Sequence, residues 1–399
     1  MNATVRGICL LLTCSTAVLI VACYHPETKG VNTASTWDQK AAAAYLDQRE
    51  GWWMGWPGTM RDHETFCISC HTAVPYALAR PALRKALGEE TPSVNERKLL
   101  DNVIKRVRLW KEVGPFYDSE GYDHKADESR GTEAVLNAMV LASYDAQNGK
   151  LSDDARAAFD NMWALQLTTG DKKGSWSWLQ FGLQPWEARD SQYYGAALAA
   201  VAVGTAPESY RLAPKIQQNL KLLREYLERE YATQPTINRV MLLWASAKLP
   251  EVVEPRQRRA IIDEVLRQQQ KDGGWALSPL AWSWRSWSPP SLLRACIRPW
   301  IRHDGTLQDL KSDGYATSLI TFVLLEAGIR RDNVQVKLGL AWLVRNQEGT
   351  QGLWRSYSLN RRRTPSSNIG RFMSDAATAY AVLALSENDR NEPGKVAVK

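Results

Sequence analysis

The chain has 399 residues, 44% of them hydrophobic and 23% charged, enough for a globular body with a sizeable core. Its formal charge of +7 would suit nucleic acid, but no zinc-finger spacing, RNA-recognition motif or dense Lys/Arg run accompanies it. The excess fits anionic lipid headgroups or an acidic partner protein better, and seventeen Trp against six Phe ask for an explanation of their own.

Residues 1–22 read as an export leader. Arg6 supplies its positive end, and Ile8 to Val21 form an apolar stretch too short to cross a bilayer. Ile20-Val21-Ala22-Cys23 resembles a bacterial lipobox, which implies acylation of Cys23 and a body anchored on the periplasmic side of a bacterial membrane. Residues 23–35, with Pro26 and Gly30, read as a flexible tether. Once Cys9 and Cys14 leave with the leader and Cys23 is acylated, Cys67, Cys70 and Cys296 remain, too few for a disulfide framework.

From residue 36 to 390 two kinds of helical segment alternate. Polar amphipathic segments cover 36–49, 93–113, 152–167, 211–231, 254–270 and 334–347. Segments of small apolar residues cover 74–88, 131–144, 190–204, 237–249, 313–328 and 375–387. The first kind belongs outside and the second in a crowded interior, giving six outer–inner pairs; residues 391–399 read as a disordered tail. Four stretches repeat a helix, a Gln, and a turn with Gly and Trp: 43–54, 161–176, 263–275 and 340–354. Each reads as a helix end, with Gly in the left-handed conformation, Gln on the last free carbonyls and Trp folded over the end.

These Gln…Gly-x-Trp turns resemble the QW repeats of squalene–hopene cyclases, whose α/α toroid is shared with protein prenyltransferases. The resemblance implies an α6/α6 toroid, with a pocket for an isoprenoid chain at the N-termini of the inner helices. The Asp-x-Asp-Asp acid of the cyclases is absent, as is an Asp-Asp-x-x-Asp diphosphate site, so cyclase activity is not carried over.

Cys67-Ile68-Ser69-Cys70-His71 resembles the haem-attachment motif of c-type cytochromes. The resemblance implies one covalent haem c, with Cys67 and Cys70 as thioether anchors and His71 as proximal iron ligand. Met373 is the favoured distal ligand; His63, His124, His303, Met54 and Met60 are the alternatives. Pro75 suits a first helical turn, which sets His71 at the pocket end.

Glu133, Asp190, Asp313 and Asp375 fall near the starts of inner segments, where acids serve as caps or form a ring facing the pocket. A Trp-rich insertion, 275–311, and the basic stretch 360–371 offer a lid, a lipid-headgroup contact or a sugar-stacking surface. The expected function is therefore an exported, membrane-anchored haem protein. It would pass electrons to a redox partner or oxidise a hydrophobic small molecule, with nucleic acid excluded. The alternatives are a haem-free terpenoid cyclase-like or isoprenoid-modifying enzyme, and a non-catalytic lipid- or glycan-binding toroid.

Overall fold

The computed structural model describes residues 36–118, 125–282 and 300–386. The leader, the tether with Cys23, His124, the centre of the Trp-rich insertion with Cys296, and the tail lie outside the described residues. Of two compact units, residues 1–33 and 34–399, the described residues belong to the second.

That unit is mostly helical, as the alternating pattern requires. Its long helices are α1 (Gln39–Gly55), α2 (Ala73–Leu87), α3 (Val94–Arg108), α4 (Lys125–Asp145), α5 (Asp153–Ala164) and α6 (Ser191–Thr205). They continue with α7 (Gln217–Glu230), α8 (Thr236–Lys248), α9 (Pro255–Arg267), α10 (Gly314–Glu326), α11 (Val334–Asn346) and α12 (Phe372–Ser386). A minimal antiparallel ladder, β1 (Met60–Arg61) with β2 (Thr65–Phe66), lies between α1 and α2, pairing Met60 with Phe66 and Arg61 with Thr65.

The odd helices bury one stripe. In α3 that stripe is Leu99, Asn102, Val103, Arg106 and Val107, the i, i+3, i+4, i+7, i+8 spacing of a single face, and Ser93 with Glu96 closes its N-terminus as a capping box. The even helices are buried more completely: α6 is buried from Ser191 to Val203 and α10 from Gly314 to Leu325. Small residues make this close approach workable. A Cβ on Gly131 of α4 would stand 2.0 Å from the Ser177 carbonyl oxygen, and one on Gly195 of α6 would stand 2.1 Å from the Trp178 ring. Each even helix packs on the next, α2 on α4 and so on to α12, and α12 returns to α2. The odd helices pack on neighbouring even helices: α1 on α2, α3 on α4, α5 on α4, α7 on α6, α9 on α8 and α11 on α10.

Three of the four repeat turns form the same clasp, with roles the sequence pattern assigns the other way round. The indole N–H caps the helix end: Trp176 Nε1 donates to Met162 O, Trp275 to Val265 O and Trp354 to Leu343 O, at 2.6, 2.8 and 2.7 Å. The Gln reaches across the turn to the next odd helix. Gln166 Nε2 donates to Gly174 O and Asn219 O, Gln269 to Gly273 O and Gln335 O, and Gln347 to Gly352 O and Asp38 O. The last of these joins the α11 end to the N-cap of α1. The fourth stretch does not conform: α1 continues through Gly51 to Gly55, and Gln48 is exposed.

The clasp glycines have no freedom to change. Gly174, Gly273 and Gly352 hold φ of +98°, +92° and +73°. An added Cβ on Gly352 would lie 2.2 Å from the Ala41 carbonyl carbon of α1, which is backbone and cannot rotate away. Gly149 shares the left-handed conformation, φ +69°, but faces open space. Gly149→Ala is therefore expected to cost about 1 kcal/mol, and Gly352→Ala about 3 kcal/mol or more, because it adds overpacking to the same backbone strain. Urea midpoints of the two variants check the difference; equal midpoints would refute the close-approach account.

Candidate functional site

The segment expected to carry haem is held tightly between α1 and α2. Trp53 Nε1 donates to Cys67 O at 2.8 Å, and Cys67 N donates to Thr59 O at 2.8 Å. Ser69 Oγ accepts from the backbone N–H of Thr72 and Ala73, which closes the first turn of α2. The segment thus leads directly into α2, with His71 at the N-terminal end of the even helices.

Its packing does not fit a porphyrin. The His71 ring stacks on Phe372 at 3.9 Å between centroids, meets Trp53 edge-on at 5.0 Å, and has Trp186 at 5.8 Å. Its Nδ1 lies 2.9 Å from Thr72 Oγ1. Cys67 and Cys70 are free thiols, 7% and 8% exposed, inside the hydrophobic core. Burial pushes the Cys67 thiol up to about 12, the charges of Arg61 and Glu187 adding smaller opposed effects, and burial raises Cys70 as well. Met373 is buried at the start of α12, and its neighbour Phe372 is the residue that packs on the imidazole. Among the described residues no group of three or more His, Cys, Asp or Glu could hold a metal ion. The expected haem c, its anchors Cys67 and Cys70, its ligands His71 and Met373, and the redox function built on them are corrected accordingly. Cys67, Cys70 and His71 are core-packing residues of a structural junction.

The expected isoprenoid cavity is corrected too. Between the even helices, Trp186 Nε1 donates to Tyr315 Oη at 3.1 Å, Tyr315 packs on Tyr380 at 6.0 Å, and Trp244 packs on both Phe322 and Tyr380. All five are buried, and with His71 they form a continuous aromatic column.

Below His71 runs a chain of buried polar groups. Thr72 Oγ1 donates to Asp375 Oδ2 at 2.9 Å, Tyr45 Oη to Oδ1 at 2.7 Å, and the Arg49 fork to both oxygens at 2.7 and 2.9 Å. Arg49 continues to Asn368 Oδ1 and O. Because Thr72 spends its hydroxyl proton on Asp375, it accepts from His71, which puts the imidazole proton on Nδ1 and leaves Nε2 an acceptor. Burial first, and Arg49 second, lower His71 to about 3, so the ring is neutral throughout the physiological range. Burial raises the Asp375 carboxyl against the pull of Arg49, Tyr45 and Thr72.

The four carboxylates marked from the sequence do not act alike. Asp313 is a cap, accepting from the N–H of Tyr315 and Ala316, and from Leu277 N and Ser356 Oγ as well; burial pushes it up to about 6. Asp190 holds the N-cap position of α6 without a side-chain bond to that helix and accepts from Gln184 Nε2 at 3.2 Å. Glu133 pairs with Arg106, both inaccessible, at 2.5 Å. Asp375 pairs with Arg49. They form separate local arrangements, and no contact joins all four.

Three charged groups here escaped the sequence reading: Arg49, Glu50 and Glu187. Glu50 is wholly buried, with neither oxygen partnered, and burial raises it to about 8, helped by Asp375 and Asp47 and opposed by Arg49. Glu187, beside the cysteines, is raised by burial to about 7. For Arg49 and Glu50 a signal existed: both share the helical face of α1 that carries Tyr45, Leu46 and Trp53.

At the surface, Trp52 and Trp56 stack at 5.2 Å with 19° between their planes, Phe372 lies 6.1 Å from Trp52, and the Arg49 guanidinium sits 4.6 Å over the Trp52 ring. These three aromatic rings are half-buried. The same end of α1 borders a cleft of about 420 Å³ whose lining includes Met54, Glu64, Phe66, Lys98, Asp101 and Lys105.

No family model matches the chain, and no curated protein matches it. Among solved structures it is similar to a polysaccharide lyase, with 12% identity, 88% of this chain and 96% of that chain covered, and a TM-score of 0.48. It is also similar to an inactive variant of alpha-1,6-mannanase GH76A of Salegentibacter sp. HEL1_6 in complex with alpha-1,6-mannotriose, with 10% identity, coverage of 87% and 100%, and a TM-score of 0.49. Neither is named as a squalene cyclase, a prenyltransferase or a c-type cytochrome; the resemblances expected from the sequence are corrected on the packing described above.

Glu50 supplies a pH test. Its native pKa of about 8 stands above its ordinary 4.5, so the native state holds the proton more tightly than the unfolded chain. The stability linked to that proton is complete below pH 4.5 and is lost as pH rises towards 8. Glu50→Gln, which keeps the shape and cannot ionise, is expected to match the parent near pH 4 and to exceed it by up to about 5 kcal/mol near pH 9. Urea unfolding across that range checks it; parallel stability profiles would exclude a buried neutral acid.

Proposed function

We propose that this chain is an α6/α6 toroid, its odd helices outside and its even helices inside, that binds a glycan at the N-terminal end of the inner ring. The ring reading is supported by the cycle of even-helix contacts that returns from α12 to α2.

The observation that carries the glycan reading is the Trp52–Trp56 stack with Phe372 beside it. It is an apolar platform, rigid because Trp53 packs against all three rings from within. A pyranose offers such a platform a flat face of C–H groups, while its hydroxyls require donors and acceptors around the edge. Glu64, Lys98, Asp101 and Lys105 supply these along the adjoining cleft. A long acyl or isoprenoid chain would need an apolar tunnel instead, and the aromatic column fills the interior where one would run.

Titration calorimetry against a panel of neutral and acidic oligosaccharides tests this reading. At least one is expected to bind, and Trp52→Ala or Trp56→Ala to weaken it roughly tenfold or more with helicity unchanged. Silence across the panel, or affinities unmoved in both variants, would defeat the proposal. We also propose that the body is exported and held to a bacterial membrane through acylated Cys23, a reading supported by the leader and lipobox-like sequence. Mass spectrometry of the membrane-fraction protein is expected to find a diacylated N-terminal Cys23; an intact leader there would reject it.

A further inference from the structure

We infer that the hairpin 300–308 and the loop 357–363 together form a docking surface for an anionic lipid bilayer. This uses residues other than the Trp52 platform and does not depend on the glycan reading.

The two segments are one rigid unit. Ile301 and Leu307 pair across the hairpin, Arg302 N donates to Thr306 O at 2.8 Å, and Gly305 turns the chain at φ +81°. Arg302 Nε then donates to Ser358 O and Gln308 Nε2 to Leu359 O, both at 2.8 Å, fastening the hairpin to the loop. Asp304 completes the joint: Oδ1 accepts from Thr306 N and Oγ1, and Oδ2 accepts from Arg362 N at 2.6 Å. Its carboxylate, held down to about 2 by the Thr306 hydroxyl and then by the Arg362 and Thr306 N–H groups, stays ionised as the loop's fastener.

Charge and apolar area then appear together on the outer side. Arg361, Arg362 and Arg363 are consecutive and exposed, and exposed Lys311 follows the hairpin. Against these four cations stand Asp304, already engaged, and Asp309, which accepts from Lys311 N at 3.1 Å. Beside them Leu307 is 74% exposed, Trp300 57% and Tyr357 39%. An aliphatic tip and an indole gain nothing in water, and a purely polyanionic partner would use the arginines while leaving Leu307 and Trp300 wet. A bilayer surface uses both: anionic headgroups meet the guanidinium groups, and the acyl boundary takes Leu307 and Trp300. Charge complementarity with an anionic leaflet, combined with this apolar tip, selects that occupant.

The test is sedimentation of the full chain with vesicles of phosphatidylcholine alone or with about 30% phosphatidylglycerol. The N-terminal leader or anchor is the same in every variant, so the comparison reports on the patch. The parent is expected to partition roughly tenfold or more in favour of the anionic vesicles at low salt, with the preference fading as salt is raised. The triple variant R361Q/R362Q/R363Q should reduce that preference to about twofold or less. Leu307→Ser should weaken binding to both vesicle types, and circular dichroism confirms that each variant is folded. The inference is overturned if the parent shows no preference, if the triple variant keeps it, or if Leu307→Ser binds like the parent.

Discussion

The interaction on which the rest depends is the clasp between successive odd helices. An indole N–H satisfies a carbonyl at the end of one helix, and a Gln side chain reaches the turn and the next helix. Three such clasps use a buried donor with no competing partner, so each is enforced by the cost of leaving a polar group dry. The glycines between them bring backbone to within contact of backbone, which fixes the spacing of neighbouring pairs. Much of the Trp excess serves this purpose: Trp176, Trp275 and Trp354 are among the most deeply buried side chains of the chain.

With the pairs so fixed, the interior is crowded, and what fills it decides the chemistry on offer. The column of Trp186, Tyr315, Tyr380 and Trp244 occupies the space between the even helices. At its head, His71 is enclosed by rings and leans on Thr72, Asp375 and Arg49. The buried Arg49–Asp375 pair ties α1 to α12, the first long helix to the last, and its remaining valences go to Tyr45, Thr72 and Asn368. Such a pair is tolerable because it is saturated, whereas Glu50 one residue away escapes the cost of a bare charge by keeping its proton.

How much of this was legible depends on which signals are local. The helical class and the two kinds of helix follow from periodicity, since Leu99, Val103 and Val107 repeat every turn while 314–325 offers no polar face. The Gln–Gly–Trp turns were visible as a pattern, yet the partners were not. A carbonyl on a helix still to come, such as Asn219 for Gln166, carries no mark in sequence. Cys67, Cys70 and His71 misled because a short motif specifies residue types and says nothing of the space around them. Here Phe372, some 300 positions later in the chain, stacks on the imidazole, and Trp53 and Trp186 crowd the ring from other sides. The 43–54 stretch misled in the opposite way: it has the letters of a clasp but continues as helix to Gly55.

The bond from Gln347 to Asp38 spans 309 positions. A chain emerging from the ribosome can build its early hairpins one after another, each on the last, but this seam has no second edge until α11 has been made. Up to that moment α2 presents the flank that α12 will later cover, an open apolar border of the sort that invites a second unfinished chain. Synthesis of the last fifty residues is thus the step that removes the hazard, and truncations near the C-terminus should be punished out of proportion to the few contacts they delete.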